Sequence, residues 1–336
     1  MPIRVGIYGA SGYTGLELVR YLALHPDVAL EVVTSRQYGR KRLRSMVSAD
    51  LQQLVGNLRF IEPEPKAFEG LDAVFIAAPN GIAASVARTF VGMGIRVFDL
   101  SADFRLKDAA LWQQWYGQEH PDPELLPDAV YGLAEFARNE LPQAQLISVP
   151  GCYPTAVLLP LLPLLNAKLL DPSVTADCAS GVSGAGRTAD LANLYAEVTE
   201  SYRAYKVSGH RHLPEIQQAI RLLTSLEAEL VFVPHLVPMI RGMLSTIHVR
   251  SSSQVAPDRL LAKARNLIQQ HYADSPLIQV ASDGDELDTA QVRGTSMAQI
   301  SVHQPHALPD RLILQCAIDN LGKGAAGQAV QCFNLA

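Results

Sequence analysis

Ile3-Arg-Val-Gly-Ile-Tyr8 runs directly into Gly9-Ala-Ser-Gly12-Tyr-Thr-Gly15, and these thirteen residues carry the clearest structural pattern in the chain. The first six residues are rich in β-branched side chains, and apolar residues at helical spacing follow the last glycine, which predicts strand, turn and helix. In such a turn, Gly9 permits the tight bend, Gly12 lets a pyrophosphate approach the backbone, and Gly15 lets helix and strand pack closely. A second apolar strand at 29–33 completes a β-α-β unit. The pattern predicts a dinucleotide-binding domain, with these candidate contacts: Gly9, Ser11, Gly12, Tyr13, Thr14 and Gly15.

The end of the second strand indicates which dinucleotide is bound. A protein that binds NAD carries Asp or Glu there, about 20 residues beyond the glycines, to accept the ribose 2′-hydroxyl. This chain has Thr34-Ser35-Arg36 instead. Because a guanidinium binds a 2′-phosphate and a carboxylate would repel it, Ser35 and Arg36 favour NADP. The later cations of the basic run 36–44 are interpreted as a solvated loop.

Two further buried strands, at 71–78 and 96–100, end in turn residues, so the doubly wound α/β pattern of a Rossmann domain continues. Ligands in such sheets lie beyond the carboxyl ends of the strands. The loop at 78–80 therefore makes Pro79 a candidate cofactor contact. The loop at 101–105 carries one cation, Arg105, which either binds an anionic part of the substrate or forms a surface salt bridge.

Length and composition bound the class of protein. A chain of 336 residues predicts about two domains. Lys and Arg total 28 against 33 for Asp and Glu, a net charge of −5, which argues against nucleic acid or anionic lipid as partners. The longest apolar run, 156–165, contains Pro160 and Pro163 and is shorter than the ~18–20 residues that a membrane helix needs. We find no secretory signal pattern and expect a cytoplasmic protein without a membrane span.

Cys152 lies in the turn Pro150-Gly-Cys-Tyr-Pro-Thr155, between a strand predicted at 145–149 and an apolar helix predicted from about Ala156. Unpaired N–H groups at a helix N-terminus stabilise a thiolate, and a rigid turn presents one side chain. This setting favours a nucleophile over an inert small residue. The other three cysteines lie in apolar segments and are interpreted as core. No Cys-x-x-Cys pair is present, so we predict neither a disulfide framework nor a zinc site.

Two histidines share the loop before a helix predicted at 215–226. A nucleophilic thiol needs a base, and His210 and His212 both lie in the approach to that helix. One of them can take the thiol proton, while the other makes ordinary hydrogen bonds. A metal is not predicted, because the His-x-His pattern lacks companion ligands. The segment 180–187 is rich in glycine and hydroxyls, which suits either an anion nest or a flexible loop.

Seven stretches across nearly the whole chain resemble the N-acetyl-gamma-glutamyl-phosphate reductases, part of the aspartate-semialdehyde dehydrogenase group. The cysteine turn, the histidine loop and the C-terminal Asn-Leu block are together specific to that family. Many members have Asn before Pro-Gly-Cys, where this chain has Val149. The stretches are Gly9-Ala-Ser-Gly-Tyr-Thr-Gly15, Leu100-Ser-Ala-Asp-Phe-Arg105, Val130-Tyr-Gly-Leu-Ala-Glu135, Pro150-Gly-Cys-Tyr-Pro-Thr155, Gly209-His-Arg-His-Leu-Pro-Glu-Ile216, Pro238-Met-Ile-Arg-Gly242, and Asp319-Asn-Leu-Gly-Lys-Gly-Ala-Ala-Gly-Gln-Ala-Val330.

The resemblance implies an NADP-dependent acyl-phosphate reductase that converts N-acetyl-L-glutamyl 5-phosphate to N-acetyl-L-glutamate 5-semialdehyde and phosphate in arginine biosynthesis. It implies that Cys152 is the nucleophile and that the histidine loop supplies the acid/base group, for which we select His210. The remaining implied contacts fall into two groups. The substrate-binding candidates are Arg105, His212, Glu215 and Arg241, and the further cofactor candidates are Ser183, Gly184 and Asn320.

Asn320 must reach the cofactor from the end of the chain, so the first domain is predicted to be discontinuous: 1–150 with 315–336. The middle, 151–314, is expected to be an α+β domain with a mainly antiparallel sheet for catalysis and subunit contact, which implies a homo-oligomer (dimer or tetramer). Three alternatives remain open. They are an aspartate-semialdehyde dehydrogenase, a reductase of an acyl phosphate attached to a carrier protein, and a non-catalytic NADP-sensing regulator.

Overall fold

The computed structural model describes residues 1–187, 189–252, 256–282 and 284–336. The chain divides into two compact units, one of Met1–Gly151 with Ala325–Ala336 and one of Cys152–Gly324. Within the described ranges, no helix has both the length and the apolar character needed to cross a bilayer.

The first unit contains a seven-stranded sheet in which every neighbouring pair is parallel. Its strand order, β3-β2-β1-β4-β5-β7-β6, reverses direction at β1 and β4, which confirms the predicted doubly wound Rossmann pattern. The strands are β1 (Ile3–Tyr8), β2 (Val28–Thr34), β3 (Phe60–Ile61), β4 (Ala73–Ile76), β5 (Arg96–Asp99), β6 (Val130–Tyr131) and β7 (Leu146–Ser148).

Helices cover both faces of this sheet. Alternate residues of β4 join different apolar clusters, Phe75 with Leu18 and Leu22 of α1, and Val74 with Phe90 of α3, as the two-residue period of a strand requires. The C-terminal helix packs in the same cluster as α1. The helices of this unit are α1 (Tyr13–Ala23), α2 (Ala49–Leu54), α3 (Ile82–Gly92), α4 (Ala109–Tyr116) and α10 (Gly327–Leu335).

The second unit contains a mixed seven-stranded sheet of order β12-β13-β14-β11-β8-β10-β9. Only β8–β10 and β12–β13 pair in parallel among its described strands, so the sheet is mainly antiparallel, as predicted. The strands are β8 (Leu170–Gly181), β9 (Arg203–Ala204), β10 (Glu229–Val237), β11 (Met243–Ser251), β12 (Ile278–Val280), β13 (Ala298–His303) and β14 (Arg311–Ile318). The helices are α5 (Cys152–Asn166), α6 (Tyr195–Val198), α7 (His212–Thr224), α8 (Pro257–His271) and α9 (Thr289–Val292).

The position predicted for the return to the first domain, 314/315, lies inside β14. That strand pairs along its length with β11 and with β13, so all of it belongs to the second sheet. The chain re-enters the first unit only at Ala325. The sequence of β14 is apolar and predicts a buried strand, but it does not indicate which of the two sheets the strand belongs to.

Helix α5 begins at Cys152, earlier than the predicted start near Ala156, and continues through Pro160 and Pro163. Pro154 is tolerated because the N–H groups of a first helical turn have no partner within the helix. Residues 153–165 are all buried, so the carbonyls that the inner prolines leave without an N–H partner cannot turn to water.

Two hydroxyls replace the missing helical donors. A helix bonds each N–H to the carbonyl four residues before it, so Pro160 leaves the oxygen of Ala156 open and Pro163 leaves that of Leu159 open. The Ser245 hydroxyl of β11 donates to Ala156 O at 2.8 Å. The Tyr272 hydroxyl, at the end of α8, donates to Leu159 O at 2.6 Å. The sheet and α8 therefore complete the hydrogen bonding of α5.

Ser245→Ala is expected to lower the free energy of unfolding by about 1–3 kcal/mol, because it leaves a buried carbonyl without a donor. Adding Pro160→Ala restores an N–H at the right place and should recover most of the loss. Urea unfolding followed by circular dichroism measures both, with Pro160→Ala alone as the control. Equal stability of the single and the double variant would contradict this account.

Candidate functional site

The glycine turn of the first unit fits a bound dinucleotide. Gly9 has φ +91°, and a Cβ there would lie 2.5 Å from Ala77 O, while a Cβ on Gly15 would lie 2.5 Å from Gly9 O, so both positions require glycine. A Cβ on Gly12 would meet nothing within 4 Å, and Gly12, the N-cap residue of α1, has no side chain of its own to bond the first N–H groups. The open side of the turn therefore presents helix N–H groups and the positive end of the helix dipole to an anion.

Hydrogen bonds tie this turn to the end of β2. The N–H of Gly9 donates to Thr34 Oγ1 at 3.0 Å, and the N–H of Ala10 donates to Thr34 O at 2.9 Å. The hydroxyls of Ser11 and Ser35 are 2.8 Å apart. The structure thus brings together Ser11 and Ser35, which were predicted from separate motifs. Tyr13 is exposed and Thr14 half-buried in the first turn of α1, where both can face a ligand.

Arg36 follows on the same edge with an exposed side chain and no ion pair among the described residues. Burial raises the pKa of the neighbouring Tyr8, and the positive charge of Arg36 opposes that rise. A guanidinium placed here, with no acidic residue at the end of β2, suits the 2′-phosphate of NADP. Pro79 lies exposed in the loop after β4.

Arg105 is buried, and its guanidinium is engaged with backbone. Nε donates to Val149 O at 2.9 Å and an Nη donates to Leu100 O at 3.0 Å. Arg105 therefore connects the residue after β5 to the residue after β7. The second of these, Val149, lies three residues before Cys152. Nearby, burial and the charge of Asp103 raise the pKa of Asp99 to about 7. No local pattern predicted this acidic pair, because its burial depends on how the strands pack.

The second unit begins with the candidate nucleophile. Cys152 is the first residue of α5 and partly exposed, in contrast to the other three cysteines, which are buried. The helix N-terminus supplies positive potential that stabilises a thiolate. Gly324 packs against it so closely that a Cβ there would lie 2.7 Å from Cys152 Cβ. This glycine was not predicted, since only the fold brings residues 152 and 324 together.

His210 lies in an aromatic enclosure next to the nucleophile's helix. Its ring is 5.6 Å from the rings of Tyr153, Tyr205 and Phe232, and the Tyr153 and Tyr205 hydroxyls are 3.0 Å apart. Burial lowers the pKa of His210 to about 4, and the charges of Lys206 and Arg211 act in the same direction. Burial raises the pKa of Tyr153, and raises that of Tyr205 to about 12. Sequence reasoning missed both tyrosines as parts of the site.

His212 starts α7, and its ring is 4.9 Å from that of His210 and 5.6 Å from that of Tyr153. Its backbone N–H donates to His210 Nδ1 at 3.1 Å. Glu215 is almost fully buried in the first turn of the same helix. The two predicted histidines and the residue after the nucleophile thus form one cluster.

Arg241 binds Asp319, with Nε 3.0 Å from a carboxylate oxygen. The fully buried Asp319 also accepts the N–H groups of Gly294, Leu321 and Gly322 at 2.6, 2.8 and 2.9 Å. A buried carboxylate is stable only when donors surround it, and Arg241 is one of the donors of Asp319. The ion pair therefore fixes the guanidinium of Arg241, although the side chain stays partly exposed.

Asn320 connects the glycine-rich loop to the turn after β10. Its Oδ1 accepts the N–H of Gly242 at 2.9 Å, and its Nδ2 donates to Ser183 Oγ at 2.8 Å. The N–H groups of residues 181–183 donate to carbonyls of 239–242, so they do not form an anion nest. Gly184 is exposed beside them, and a Cβ there would lie 3.6 Å from Asn320 Nδ2.

A nucleotide-binding parallel sheet, followed by a mixed-sheet unit that starts at a cysteine and carries paired histidines, defines the class of semialdehyde dehydrogenases. Family profiles agree: "Semialdehyde dehydrogenase, NAD binding domain" matches residues 4–144, and "Semialdehyde dehydrogenase, dimerisation domain" matches residues 152–320. An N-acetyl-gamma-glutamyl-phosphate reductase of Halorhodospira halophila is 50% identical over 333 residues, covering 99% of this chain and 94% of that protein. One from Pseudomonas putida is 48% identical and covers 99% and 95%. The chain belongs to the N-acetyl-gamma-glutamyl-phosphate reductase family.

Solved structures of aspartate semialdehyde dehydrogenases share the fold. Aspartate semialdehyde dehydrogenase II of Vibrio cholerae, complexed with ASA, has a TM-score of 0.74 at 16% identity, covering 100% of this chain and 98% of that one. The enzyme of Candida albicans with NADP has a TM-score of 0.73 at 16% identity, with the same coverage.

Asn320→Ala is expected to lower the free energy of unfolding by about 1–3 kcal/mol, because it removes the acceptor of a buried backbone N–H and the donor to Ser183. Urea unfolding measures the change. Asn166→Ala, at an exposed asparagine of the same unit, is the matched control. Indistinguishable midpoints for the two variants would show that Asn320 does not hold the loop.

Proposed function

We propose that the chain catalyses the NADPH-dependent reduction of N-acetyl-L-glutamyl 5-phosphate to N-acetyl-L-glutamate 5-semialdehyde, with release of phosphate, in arginine biosynthesis. The observation that carries the proposal is Cys152 at the N-terminus of α5 in the same unit as the His210–His212 cluster. The substrate is taken from the relatives named above, which are similar over the full chain.

NADPH would supply the hydride when it is bound. The residues that would hold it are the glycine turn at 9–15 with Ser35, while Arg36 would bind the 2′-phosphate and Pro79 would line the site. Ser183, Gly184 and Asn320 complete the proposed set. The second Nδ2 hydrogen of Asn320 has no acceptor among the described residues, which suits a contact with a carbonyl of the cofactor.

The proposed chemistry begins with the thiolate of Cys152. Its sulfur attacks the acyl carbon, the bond from that carbon to the phosphate oxygen breaks, and a thioester forms. After the hydride reaches the same carbon, the carbon–sulfur bond breaks, which releases the aldehyde and restores the thiolate. We propose His210 as the acid/base group, which would protonate the oxyanion that forms after hydride addition.

The anionic groups of the substrate need cations. We propose Arg105 and Arg241 as their partners, with His212 as a substrate contact and Glu215 as support for the histidine loop. Arg241 fits best, because Asp319 fixes its guanidinium while part of the side chain remains exposed. Arg105 is the weaker candidate, because its guanidinium already donates to Val149 O and Leu100 O.

Subunit contact is proposed for the second unit, which matches a dimerisation domain. We propose that the protein forms a dimer or tetramer and acts in the cytoplasm. Aspartate-semialdehyde dehydrogenase activity is the nearest alternative function. The solved structures of such enzymes are only 16% identical in sequence, so their similarity to this chain concerns the fold alone.

Cys152→Ala should abolish phosphate-dependent reduction of NADP⁺ with N-acetylglutamate semialdehyde, because no thioester can form. Absorbance at 340 nm follows the reaction, and Cys178→Ala, at a buried cysteine whose thiol pKa is raised by burial, is the control expected to stay active. Turnover of aspartate semialdehyde in place of the acetylated substrate would favour the alternative dehydrogenase. Residual activity of Cys152→Ala near the wild-type level would refute the nucleophile.

Arg36→Ala should raise KM for NADP⁺ about 10–100-fold and leave KM for NAD⁺ nearly unchanged, since a charge-assisted contact contributes about 1.5–3 kcal/mol. Steady-state kinetics with both cofactors test this. Arg44→Ala, in the same basic run and also exposed, is the matched control that should change neither constant. An equal loss with NADP⁺ and NAD⁺ would contradict a 2′-phosphate contact.

A further inference from the structure

The N-terminus of α3 is closed by a carboxylate from another part of the first unit. Its N-cap residue, Gly81, has φ +86° and carries no side chain that could accept the first N–H groups. Asp103, in the loop after β5, takes that place. Its Oδ1 and Oδ2 accept the N–H of Gly81 at 2.8 and 2.9 Å, and Oδ2 also accepts the N–H of Ala84 at 3.0 Å. Asp103 is fully buried, so it acts as a built-in anion at the positive end of this helix.

The backbone that carries Asp103 is held by two buried rings. Trp112 Nε1 donates to Ala102 O at 3.1 Å. His120 Nδ1 accepts the N–H of Asp122 at 3.1 Å, so the proton of the neutral imidazole lies on Nε2, which donates to Asp103 O at 2.8 Å. The Trp112 and His120 rings pack edge to face with their centroids 4.9 Å apart. The position of the Asp103 carboxylate is therefore fixed independently of α3.

Asp103 keeps its charge because the neighbouring Asp99 takes up a proton first. Asp99 is fully buried at the end of β5, where Oδ1 accepts the N–H of Ser101 at 2.8 Å and Oδ2 has no hydrogen-bond partner among the described residues. Burial and the charge of Asp103 raise the pKa of Asp99 to about 7. Burial also raises the pKa of Asp103, but the N–H groups of Gly81 and Ala84 act against that rise. The negative charge of the pair therefore lies at the helix end.

The loop between β4 and α3 connects the Asp103 contact to the glycine turn. At the start of this loop, Ala77 O lies so close to Gly9 that a Cβ on Gly9 would be 2.5 Å from it. At its end, Asp103 accepts the N–H of Gly81. Pro79, a candidate cofactor contact, lies exposed between the two. A shift of the start of α3 would therefore move this loop against the turn where the diphosphate of the cofactor is proposed to bind.

We infer that Asp103 is a positioning residue for the cofactor, because its carboxylate substitutes for an anion at the N-terminus of α3 and thereby holds the loop after β4 in the arrangement that the cofactor site needs. The inference rests on the proposed function for the location of the cofactor at the turn 9–15. Without the carboxylate, the N–H groups of Gly81 and Ala84 would lose their acceptor. The start of α3 could then satisfy them only by moving toward water or by binding another anion.

Rescue by formate tests whether Asp103 acts as an anion. Asp103→Ala removes the carboxyl group and leaves space for formate, a carboxylate of the same size. Formate should raise the thermal unfolding midpoint of this variant more than an equal concentration of chloride does, and should leave the wild type unchanged. The matched control is Asp108→Ala, because Asp108 also accepts the first N–H groups of a helix in this unit but is exposed, so water can replace it. An equal response of the two variants to formate would overturn the inference.

The affinity for NADPH, measured by the fluorescence of the bound nicotinamide, tests the link to the cofactor site. We expect the Kd of Asp103→Ala to be at least about tenfold above wild type and to return to within about threefold in formate. Asp103→Asn offers one acceptor and no charge, so its Kd should rise about threefold. Asp108→Ala should bind as the wild type does. If Asp103→Ala does not fold, Asp103→Asn alone decides, and a wild-type Kd in that variant would overturn the inference.

Neither measurement requires turnover, so the two proposals can fail separately. A wild-type protein that binds NADPH but does not act on N-acetylglutamate semialdehyde would refute the proposed function and leave the role of Asp103 intact. Conversely, weak NADPH binding by folded Asp103→Ala that formate does not restore would overturn the role of Asp103, even where the reductase assay succeeds.

Discussion

The second unit depends on the two hydroxyl contacts that let α5 pass through Pro160 and Pro163. A fully buried helix cannot leave carbonyls without donors, because water does not reach them. Ser245 supplies one donor from the middle of the sheet and Tyr272 supplies the other from the end of α8. These contacts tie α5 to β11 of the second sheet and to the end of α8. Cys152 is the first residue of that helix, so its position depends on contacts at Ala156 and Leu159, about one and two helical turns further along.

The same logic operates at the end of the second unit. Asp319 is fully buried and accepts three backbone N–H groups in addition to the guanidinium of Arg241. The N–H of Gly324 then donates to Asp319 O at 2.9 Å, and Gly324 packs against Cys152. Asp319 therefore positions a candidate substrate cation through its carboxylate, and the backbone beside the nucleophile through its main-chain carbonyl. Its donors make the burial of a charge tolerable, and removal of any one of them would leave part of that charge uncompensated.

Local patterns predicted the parts of this protein that are built from neighbouring residues. β1 has the bounds expected from its β-branched run, and the turn at 9–15 requires glycine at the two positions where the motif assigned a steric role. The cysteine turn and the histidine loop could be predicted because the residues that define each of them are neighbours in the sequence. Helix α5 starts at Cys152, before the predicted start near Ala156, and continues through Pro160 and Pro163. Their compensation by Ser245 and Tyr272 spans 89 and 113 residues and leaves no local signal. For the same reason the carbonyl partners of Arg105, the enclosure of His210 and the contact of Gly324 required the fold.

The environment of His210 shows how its own loop and the packed elements act together on one side chain. Burial lowers the pKa of His210 to about 4, and the positive charges of Lys206 and Arg211 in the same loop act in the same direction. The N–H of His212 donates to His210 Nδ1, so the backbone at the start of α7 also opposes a proton on that nitrogen. The aromatic rings that bury the imidazole come from α5, from the loop and from β10, so only the assembled fold produces this effect.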